Sequence, residues 1–166
     1  MNLDPSQLHD RLGYWLFKQM GVPAPRAIHA KLYINGIYNG LFSLVEQIDE
    51  QFADYHFSDG TGNIYKEVWP LHSNGNIQSD KKFYQSLVTN KKKGVNNNII
   101  KSFAENMVNA NDSEIQTIIE NHMNLNQMLS YAVVDRAIRH DDGPFHWYCD
   151  WGQCEPHNFF WYENPS

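Results

Sequence analysis

The stretch IHAKLYINGIYNGLFSLVE, residues 28–46, carries the clearest fold signal in the chain. Its Asn35-Gly36 dipeptide lies between two runs rich in aliphatic and aromatic residues, and this dipeptide favours a two-residue turn between antiparallel strands. The sequence therefore predicts a β-hairpin with strands at 28–34 and 37–46. Gly40 lies inside the returning strand, where glycine indicates a β-bulge or a close approach of the backbone to another group.

A helix is predicted before the hairpin. Asp4 and Pro5 match the pattern of a helix start, with aspartate as N-cap and proline at the first helical position. Gly21 is the predicted end of this helix. Apolar residues recur on one face of this helix, at Leu8, Leu12, Trp15, Leu16 and Met20. Pro23 and Pro25 then predict an extended connection to the hairpin.

After the hairpin the sequence predicts a short helix within 49–57 and a strand at 63–68, followed by helices at about 80–89, 98–109 and 112–122. Asp112 is the predicted N-cap of the last of these. The helix with the most regular apolar spacing begins at Asn124 and ends near His140. We expect it to bury a set of apolar side chains, namely Leu125, Met128, Leu129, Ala132, Val133 and Ile138.

The order of these elements predicts an α+β fold, rich in strands before residue 70 and in helices after it. Such a chain forms a small β-containing lobe packed on a helical lobe, and a cleft between lobes is a common ligand site. The chain has 166 residues and a net charge of −6, which argues against a non-specific nucleic-acid binder. It contains no apolar run long enough to cross a bilayer and no export signal at its N-terminus.

Charged residues next to apolar strands are the first candidates for a functional site, because burying a charge costs free energy unless it is paired or used. Lys66 follows Ile64 and Tyr65, and Glu46 closes the apolar run of the hairpin. The two could pair on neighbouring strands and direct the ammonium group at a phosphate, and Lys66 between Tyr65 and Val68 would then be poorly hydrated. Alternatively, each of them faces solvent.

A second candidate lies at the end of the 124–140 helix, where Asp141 and Asp142 precede Gly143. Negative charge is unfavourable at a helix C-terminus, so that a metal ion, or a substrate proton to be accepted, would explain the two carboxylates. The alternative is an exposed acidic turn. Asn158, before an apolar strand, could bind a metal or phosphate, or could be a turn residue.

The tail contains a third candidate, formed by His146, Cys149, Cys154 and His157. Imidazole and thiolate groups in this number can complete a tetrahedral zinc site. The same residues also permit a disulfide between Cys149 and Cys154, or two unbridged thiols. The residue pattern alone leaves these three alternatives open.

Several short motifs, in this order along the chain, resemble the CotH (spore-coat protein H) kinase-like family, which has a divergent protein-kinase fold. They are RL at 11–12, GVPAPR at 21–26, LYING at 32–36, EQID at 46–49, NIYK at 63–66, DG at 142–143 and HNFFWY at 157–162. The resemblance implies a two-lobed kinase-like domain that uses ATP with Mg²⁺ or Mn²⁺. It also implies a protein phosphoacceptor, modified on Ser or Thr at a cell or spore surface or in a coat.

Four residues take functional roles by this resemblance. Lys66 resembles the phosphate-binding lysine and Glu46 its orienting partner, while Asp142 resembles the catalytic-loop aspartate and Asn158 the metal-binding asparagine. Asn158 follows Asp142 by sixteen residues, whereas an ordinary protein kinase places the asparagine about five residues after the aspartate. An insertion at 144–156 makes up most of the difference. Asp141 and Asp135 are alternatives to Asp142.

The resemblance also has consequences for the limits and the location of the domain. Family members carry a metal-binding acidic segment after the last strand and a strand region before the first helix. Residues 1–166 are therefore expected to be an incomplete domain that lacks the metal-binding aspartate of that segment, with lobes at 1–70 and 71–166. The family's extracellular settings favour the Cys149–Cys154 disulfide. The alternative function is a catalytically inactive surface-binding, coat or adhesion module that displays the aromatic residues of 145–151.

Overall fold

A computed structural model of the chain describes residues 4–94, 96–146, 148–150 and 153–165, and it has a mixed α+β architecture. Its helices and strands, in chain order, are α1 (His9–Gln19), β1 (Ala27–Ile34), β2 (Ile37–Val45), α2 (Glu50–His56), β3 (Asn63–Lys66), α3 (Asp80–Ser86), α4 (Asn98–Asn109), α5 (Ile115–His122), α6 (Leu125–Ala137), β4 (Tyr148–Asp150), β5 (Gln153–Glu155) and β6 (Phe160–Glu163). The predicted α+β class is confirmed. Within the described residues, every helix is too short or too polar to cross a lipid bilayer.

The predicted β-hairpin is confirmed. Strands β1 and β2 pair antiparallel, and the register runs from Ala27 opposite Val45 to Ile34 opposite Ile37. Asn35 and Gly36 at the turn both have positive φ, of 51° and 82°, as the tight hairpin turn requires. The register shifts next to Gly40, whose φ of 126° is accessible to glycine, so the predicted irregularity in the returning strand is a β-bulge.

A second two-stranded sheet joins distant parts of the chain. Strand β3 pairs antiparallel with β6, with Asn63 opposite Glu163 and Lys66 opposite Phe160. A hydrophobic core forms on this sheet from the buried residues Tyr65, Val68, Phe83, Leu87 and Ile100. Strand β3 ends at Lys66, two residues earlier than predicted, because Glu67 takes a left-handed backbone conformation with a φ of 52°.

The second core lies between α1 and α6, and its position corrects the predicted buried faces. It contains Phe17, Val22, Ala24 and Val134, with Tyr14, Leu16 and Tyr131 packed against it. Several residues expected on the buried faces are exposed, namely Leu8, Leu12, Trp15 and Met20 on or next to α1 and Leu129, Val133 and Ile138 on or just after α6. Both helices have apolar residues on more than one side, so that tertiary packing, and not local spacing, selects the buried side.

The helix ends show where capping was predicted well and where it was not. The side chain of Asn124 accepts a hydrogen bond from the Gln127 backbone, as expected for the N-cap of α6. Asp4, in contrast, does not start α1: its carboxylate accepts from the backbone N–H groups of Ser6 and His9 and holds a turn before the helix. The prediction for Asp112 is also wrong, because α5 begins three residues later.

Candidate active site

Asn158 and Asp142, two of the four predicted site residues, are in direct contact. The Asn158 side chain donates through Nδ2 to the Asp142 carbonyl oxygen at 3.0 Å and to the Asp142 carboxylate atom Oδ2. Both side chains belong to exposed residues. The structure therefore brings a carboxylate and a carboxamide from positions sixteen residues apart into one solvent-accessible pair.

The insertion between these two residues contains two short paired strands. Its strands β4 and β5 form an antiparallel hairpin in which Cys149 is opposite Cys154, and the two cysteines form a disulfide. A 2.6 Å ion pair from Lys82 Nζ to Glu155 Oε2 fastens the hairpin to α3. Because β4 pairs with β5, the chain reverses direction within the insertion. The added residues therefore lengthen the chain without separating Asp142 from Asn158.

The disulfide also decides among the three alternatives left open for the cysteines. Because both sulfur atoms are in the bridge, they are not available as the thiolates that a zinc site would need. Across 4–94, 96–146, 148–150 and 153–165, no group of three or more His, Cys, Asp or Glu residues is placed to hold a metal ion. The structure thus favours a loop disulfide over the Cys and His zinc site.

Glu67 links Asn158 to Lys66. Its carboxylate atom Oε1 accepts a hydrogen bond from the Asn158 backbone N–H at 3.1 Å and lies 3.7 Å from Lys66 Nζ. In return, the Glu67 backbone N–H donates to the Phe159 carbonyl at 3.1 Å. Lys66, Glu67, Asn158 and Asp142 therefore form one chain of contacts, which we call the candidate site.

The sequence interpretation missed Glu67, and its position depends on two left-handed residues. Glu67 and Asn158 have φ values of 52° and 53°, and these turn the chain at the ends of the paired strands β3 and β6. An acidic residue directly after a strand lysine is a weak signal in the sequence. The contact with Asn158 arises only when the two strands pair, and they lie more than 90 residues apart.

Glu46 does not contact Lys66, so the predicted pairing of these two residues is wrong. Glu46 instead accepts from Arg26, whose backbone N–H and Nε each lie 2.9 Å from its carboxylate oxygens. Strands β2 and β3 belong to different sheets, whereas Arg26 and Glu46 are the next pair beyond Ala27 and Val45 in the hairpin register. Extending that register by one pair would have identified Arg26 as the partner.

Arg26 sets the ionisation of Glu46 in this pair. Burial alone would raise the pKa of the Glu46 carboxyl group, but the hydrogen bonds from the Arg26 side chain and backbone outweigh it and lower that pKa. The same contact raises the pKa of Arg26. Arg26 also lies over the ring of Tyr55, at 4.7 Å from its centroid. Glu46 therefore closes the open end of the hairpin.

Lys66 is better hydrated than predicted. Half of its side chain is exposed at the C-terminal end of β3, whereas Ile64 and Tyr65 before it are both buried. The poor hydration expected from Tyr65 and Val68 is therefore wrong. An exposed ammonium group next to one carboxylate can still meet a phosphate of an incoming ligand.

The three aspartates of this region have different environments. Asp135, an alternative to Asp142, is fully buried and cannot contact a substrate without unfolding its surroundings. Asp141 and Asp142 are exposed on the turn that follows α6. Only Asp142 has a described hydrogen bond to Asn158, so the geometry favours it over the other two as a group that meets a ligand.

A separate polar cleft lies at the other end of strands β3 and β6. Its volume is about 500 Å³, and it is lined mainly by amide, hydroxyl and charged side chains, among them Thr61, Asn63, Asn90, Lys93, Asn96 and Glu163. None of the four residues of the candidate site lines this cleft. The cleft is therefore distinct from the cluster that the sequence motifs indicated.

Comparison with known proteins gives one positive finding. The family model described as CotH kinase protein matches residues 1–166, which is the whole chain. No curated protein shows a significant match to the sequence. The family match agrees with the motifs at 63–66, 142–143 and 157–162, which supply three of the four residues of the candidate site.

Proposed function

The chain belongs to the CotH kinase family, and we propose that it transfers phosphate from ATP to Ser or Thr hydroxyl groups of a protein. The candidate site carries the transfer, with Asp142 as the catalytic group, Lys66 on the phosphates and Asn158 on the metal ion. Glu67 contacts Lys66 and has the orienting role that the family resemblance implied for Glu46.

The observation that supports this proposal most directly is the hydrogen bond from Asn158 Nδ2 to the Asp142 carboxylate. A kinase needs its catalytic aspartate and its metal-binding asparagine side by side, and the long spacing in this sequence argued against such proximity. The disulfide-bonded hairpin removes that objection because it accommodates the extra residues outside the site.

The proposed reaction balances without a further reactant. The acceptor hydroxyl oxygen forms a bond to the γ-phosphorus of ATP, the bond from that phosphorus to the bridging β-phosphate oxygen breaks, and ADP leaves. Asp142 accepts the hydroxyl proton, as the aspartate of a kinase catalytic loop does. The Lys66 ammonium group binds a phosphate oxygen by a charge-assisted hydrogen bond.

The residues present fit a magnesium or manganese ion that is held partly by ATP. Mg²⁺ prefers oxygen ligands and is usually bound by one or two protein groups together with water and substrate phosphates. Asn158 supplies such an oxygen atom: because its Nδ2 is the donor to Asp142, its amide oxygen is the atom suited to a cation. The bound metal ion would neutralise charge on the phosphate oxygens.

We propose further that the phosphoacceptor is a surface or coat protein and that the chain works outside the cell or at a cell or spore surface. The Cys149–Cys154 disulfide supports this location, since disulfides persist in oxidising compartments and are rare in the cytosol. The proposed arrangement of the domain is a strand-containing lobe at 1–70 and a mainly helical lobe at 71–166, with the candidate site between them.

The transfer is tested by incubating the purified chain with γ-labelled ATP, Mn²⁺ or Mg²⁺, and casein as a serine-rich acceptor. We expect label on casein or on the chain itself, and its loss in Asp142→Asn. Asp112→Asn is the matched control, because Asp112 is also exposed but lies outside the candidate site. Equal labelling by the wild-type chain and Asp142→Asn would contradict the role of Asp142.

A catalytically inactive surface-binding module is the second candidate function, and one observation favours it. The β1–β2 hairpin exposes large apolar side chains on both of its faces, including Ile28, Tyr33, Ile37, Phe42 and Leu44. Exposed apolar patches of this kind mark protein interaction sites. Absence of nucleotide binding, together with retention of the fold, would favour this function over phosphate transfer.

A further inference from the structure

Asp135 is a buried acidic residue for which the proposed reaction has no direct use. It lies in the last turn of α6 and is fully buried. Its carboxylate atom Oδ2 accepts from Arg136 Nε at 2.7 Å, and its Oδ1 lies 3.0 Å from His140 Nδ1, which donates to it. The Asp135 carboxylate, which is shielded from solvent, is therefore held by hydrogen bonds from the nearby Arg136 and His140 side chains.

The same three residues are joined a second time through the backbone. The His140 N–H donates to the Asp135 carbonyl oxygen at 2.9 Å, and Arg136 Nη2 donates to the His140 carbonyl oxygen at 2.9 Å. Between them Arg139 has a φ of 54°, a left-handed conformation that turns the chain back toward the helix. The contacts thus fix the path of the chain up to His140, two residues before Asp142.

Gly143, which follows Asp142 in the chain, is also tightly packed against Asp135 and His140. A Cβ atom at this position would lie 2.5 Å from Asp135 Oδ1 and 2.7 Å from His140 Nδ1, distances that packed atoms do not reach. Its φ is not in the left-handed region, so glycine is needed here for space. Asp142 is consequently held between His140, which is hydrogen-bonded to the Asp135 carboxylate, and Gly143, beside which that carboxylate leaves no room for a side chain.

Stability alone does not account for this arrangement. Removing a carboxylate from water is costly, and replacing a buried ion pair by well-packed apolar residues is often neutral or stabilising. A buried charge that is fully hydrogen-bonded can instead fix one geometry of the chain around it. The group fixed here is the turn that presents Asp142 to Asn158.

We propose that Asp135, Arg136 and His140 form a clamp, centred on the buried Asp135 carboxylate, that positions the Asp142 turn, so that Asp135 is a positioning residue for the transfer. This inference rests on the proposed function, because it names the residues that align Asp142. It separates two roles for acidic residues seven positions apart: Asp142 meets the ligand, while Asp135 acts through His140 and Gly143 without contacting it.

The test compares Asp135→Asn and Gly143→Ala with the control Asp112→Asn in the full chain. The first variant keeps the shape of the Asp135 side chain and removes its charge. The second keeps all three clamp side chains but places a methyl group against Asp135 Oδ1 and His140 Nδ1, so that the turn has to shift. NMR records the Asn158 side-chain amide resonance, which reports its bond to Asp142, and steady-state kinetics give kcat and the KM for ATP. Circular dichroism confirms that each variant is folded.

We expect both clamp variants to shift the Asn158 amide resonance and to lower kcat by about 10- to 100-fold, with the KM for ATP changed by less than about twofold, as for a misplaced catalytic group. Asp112→Asn should change neither. If Asp135→Asn does not fold, Gly143→Ala decides by the same readouts. An Asn158 resonance that stays at its wild-type position in the folded variants would overturn the inference.

The two readouts separate this inference from the proposed function. If the wild-type chain transfers no phosphate, the proposed function fails, and the Asn158 resonance alone judges the clamp. If the chain is active and the variants lose thermal stability while kcat and the Asn158 resonance stay at their wild-type values, Asp135 has a structural role only and the inference is wrong.

Discussion

Removal of the Cys149–Cys154 disulfide should destabilise the chain by a small, calculable amount. The bridge closes a loop of six residues, for which the chain-entropy relation gives about 7 cal/mol/K, or about 2 kcal/mol at 25 °C. For a chain of this size, each kcal/mol changes the melting temperature by about 2–4 °C. The double variant Cys149→Ser, Cys154→Ser should therefore melt about 4–8 °C below the oxidised wild type.

Thermal melting followed by circular dichroism measures this difference, and reduction of the wild type provides the control. Adding dithiothreitol should lower the wild-type melting temperature to that of the double variant and leave the double variant unchanged. Alkylation of unreduced protein followed by mass spectrometry checks the bridge itself. Two alkylated cysteines in protein from an oxidising medium, or equal melting temperatures for both proteins, would refute the reasoning.

Three further predictions concern stability. Gly13→Ala in α1 should raise the free energy of unfolding by about 0.5–1 kcal/mol, because the new Cβ makes an ordinary 3.7 Å contact with Ile138; urea denaturation would show the gain. In the same assay Gly62→Ala should cost about 1–3 kcal/mol, because its Cβ would lie 2.0 Å from the Glu163 carbonyl oxygen and disturb the β3–β6 pairing. Hydrogen bonds from the His9 backbone and the Ser6 hydroxyl lower the pKa of Asp4 to about 2 from 3.8. Its contribution is therefore fully present above pH 4 and is lost as the pH falls toward 2, so Asp4→Asn should lose less stability over that interval when both proteins are unfolded by urea at each pH.

The parts of the fold that the sequence predicted correctly depend on local chemistry. Asn35-Gly36 determines a turn by itself because both residues accept positive φ, and Asn124 caps α6 through a hydrogen bond to a residue three positions away. The bounds of α4, Asn98–Asn109, also agree with its apolar spacing. Each of these features is decided within a few neighbouring residues.

The buried faces of α1 and α6 could not be predicted in the same way. Val134 and Phe17 are buried, while Val133 and Trp15, which are equally apolar, are exposed. The choice between adjacent apolar residues depends on how the two helices meet, and that contact joins residues more than 100 positions apart. Local spacing contains no information on it.

The candidate site shows the same division between local and distant causes. Lys66, Asp142 and Asn158 were found because each stands in a short motif, and the structure connects all three. Glu46 was assigned to the wrong partner because the sequence does not reveal that β2 and β3 lie in separate sheets. Glu67 was missed because its contact with Asn158 requires the pairing of β3 with β6.

Nucleotide binding by Lys66 tests the central claim most directly. Isothermal titration calorimetry of ATP with Mg²⁺ or Mn²⁺ would compare the wild-type chain with Lys66→Ala and with Lys91→Ala, whose ammonium group bonds to the Gln85 carbonyl oxygen away from the candidate site. We predict that Lys66→Ala weakens binding by about 1–3 kcal/mol, the range of a charge-assisted contact, and that Lys91→Ala binds like the wild type. Equal affinities for the wild type and Lys66→Ala, or no binding by any of the three proteins, would contradict the account.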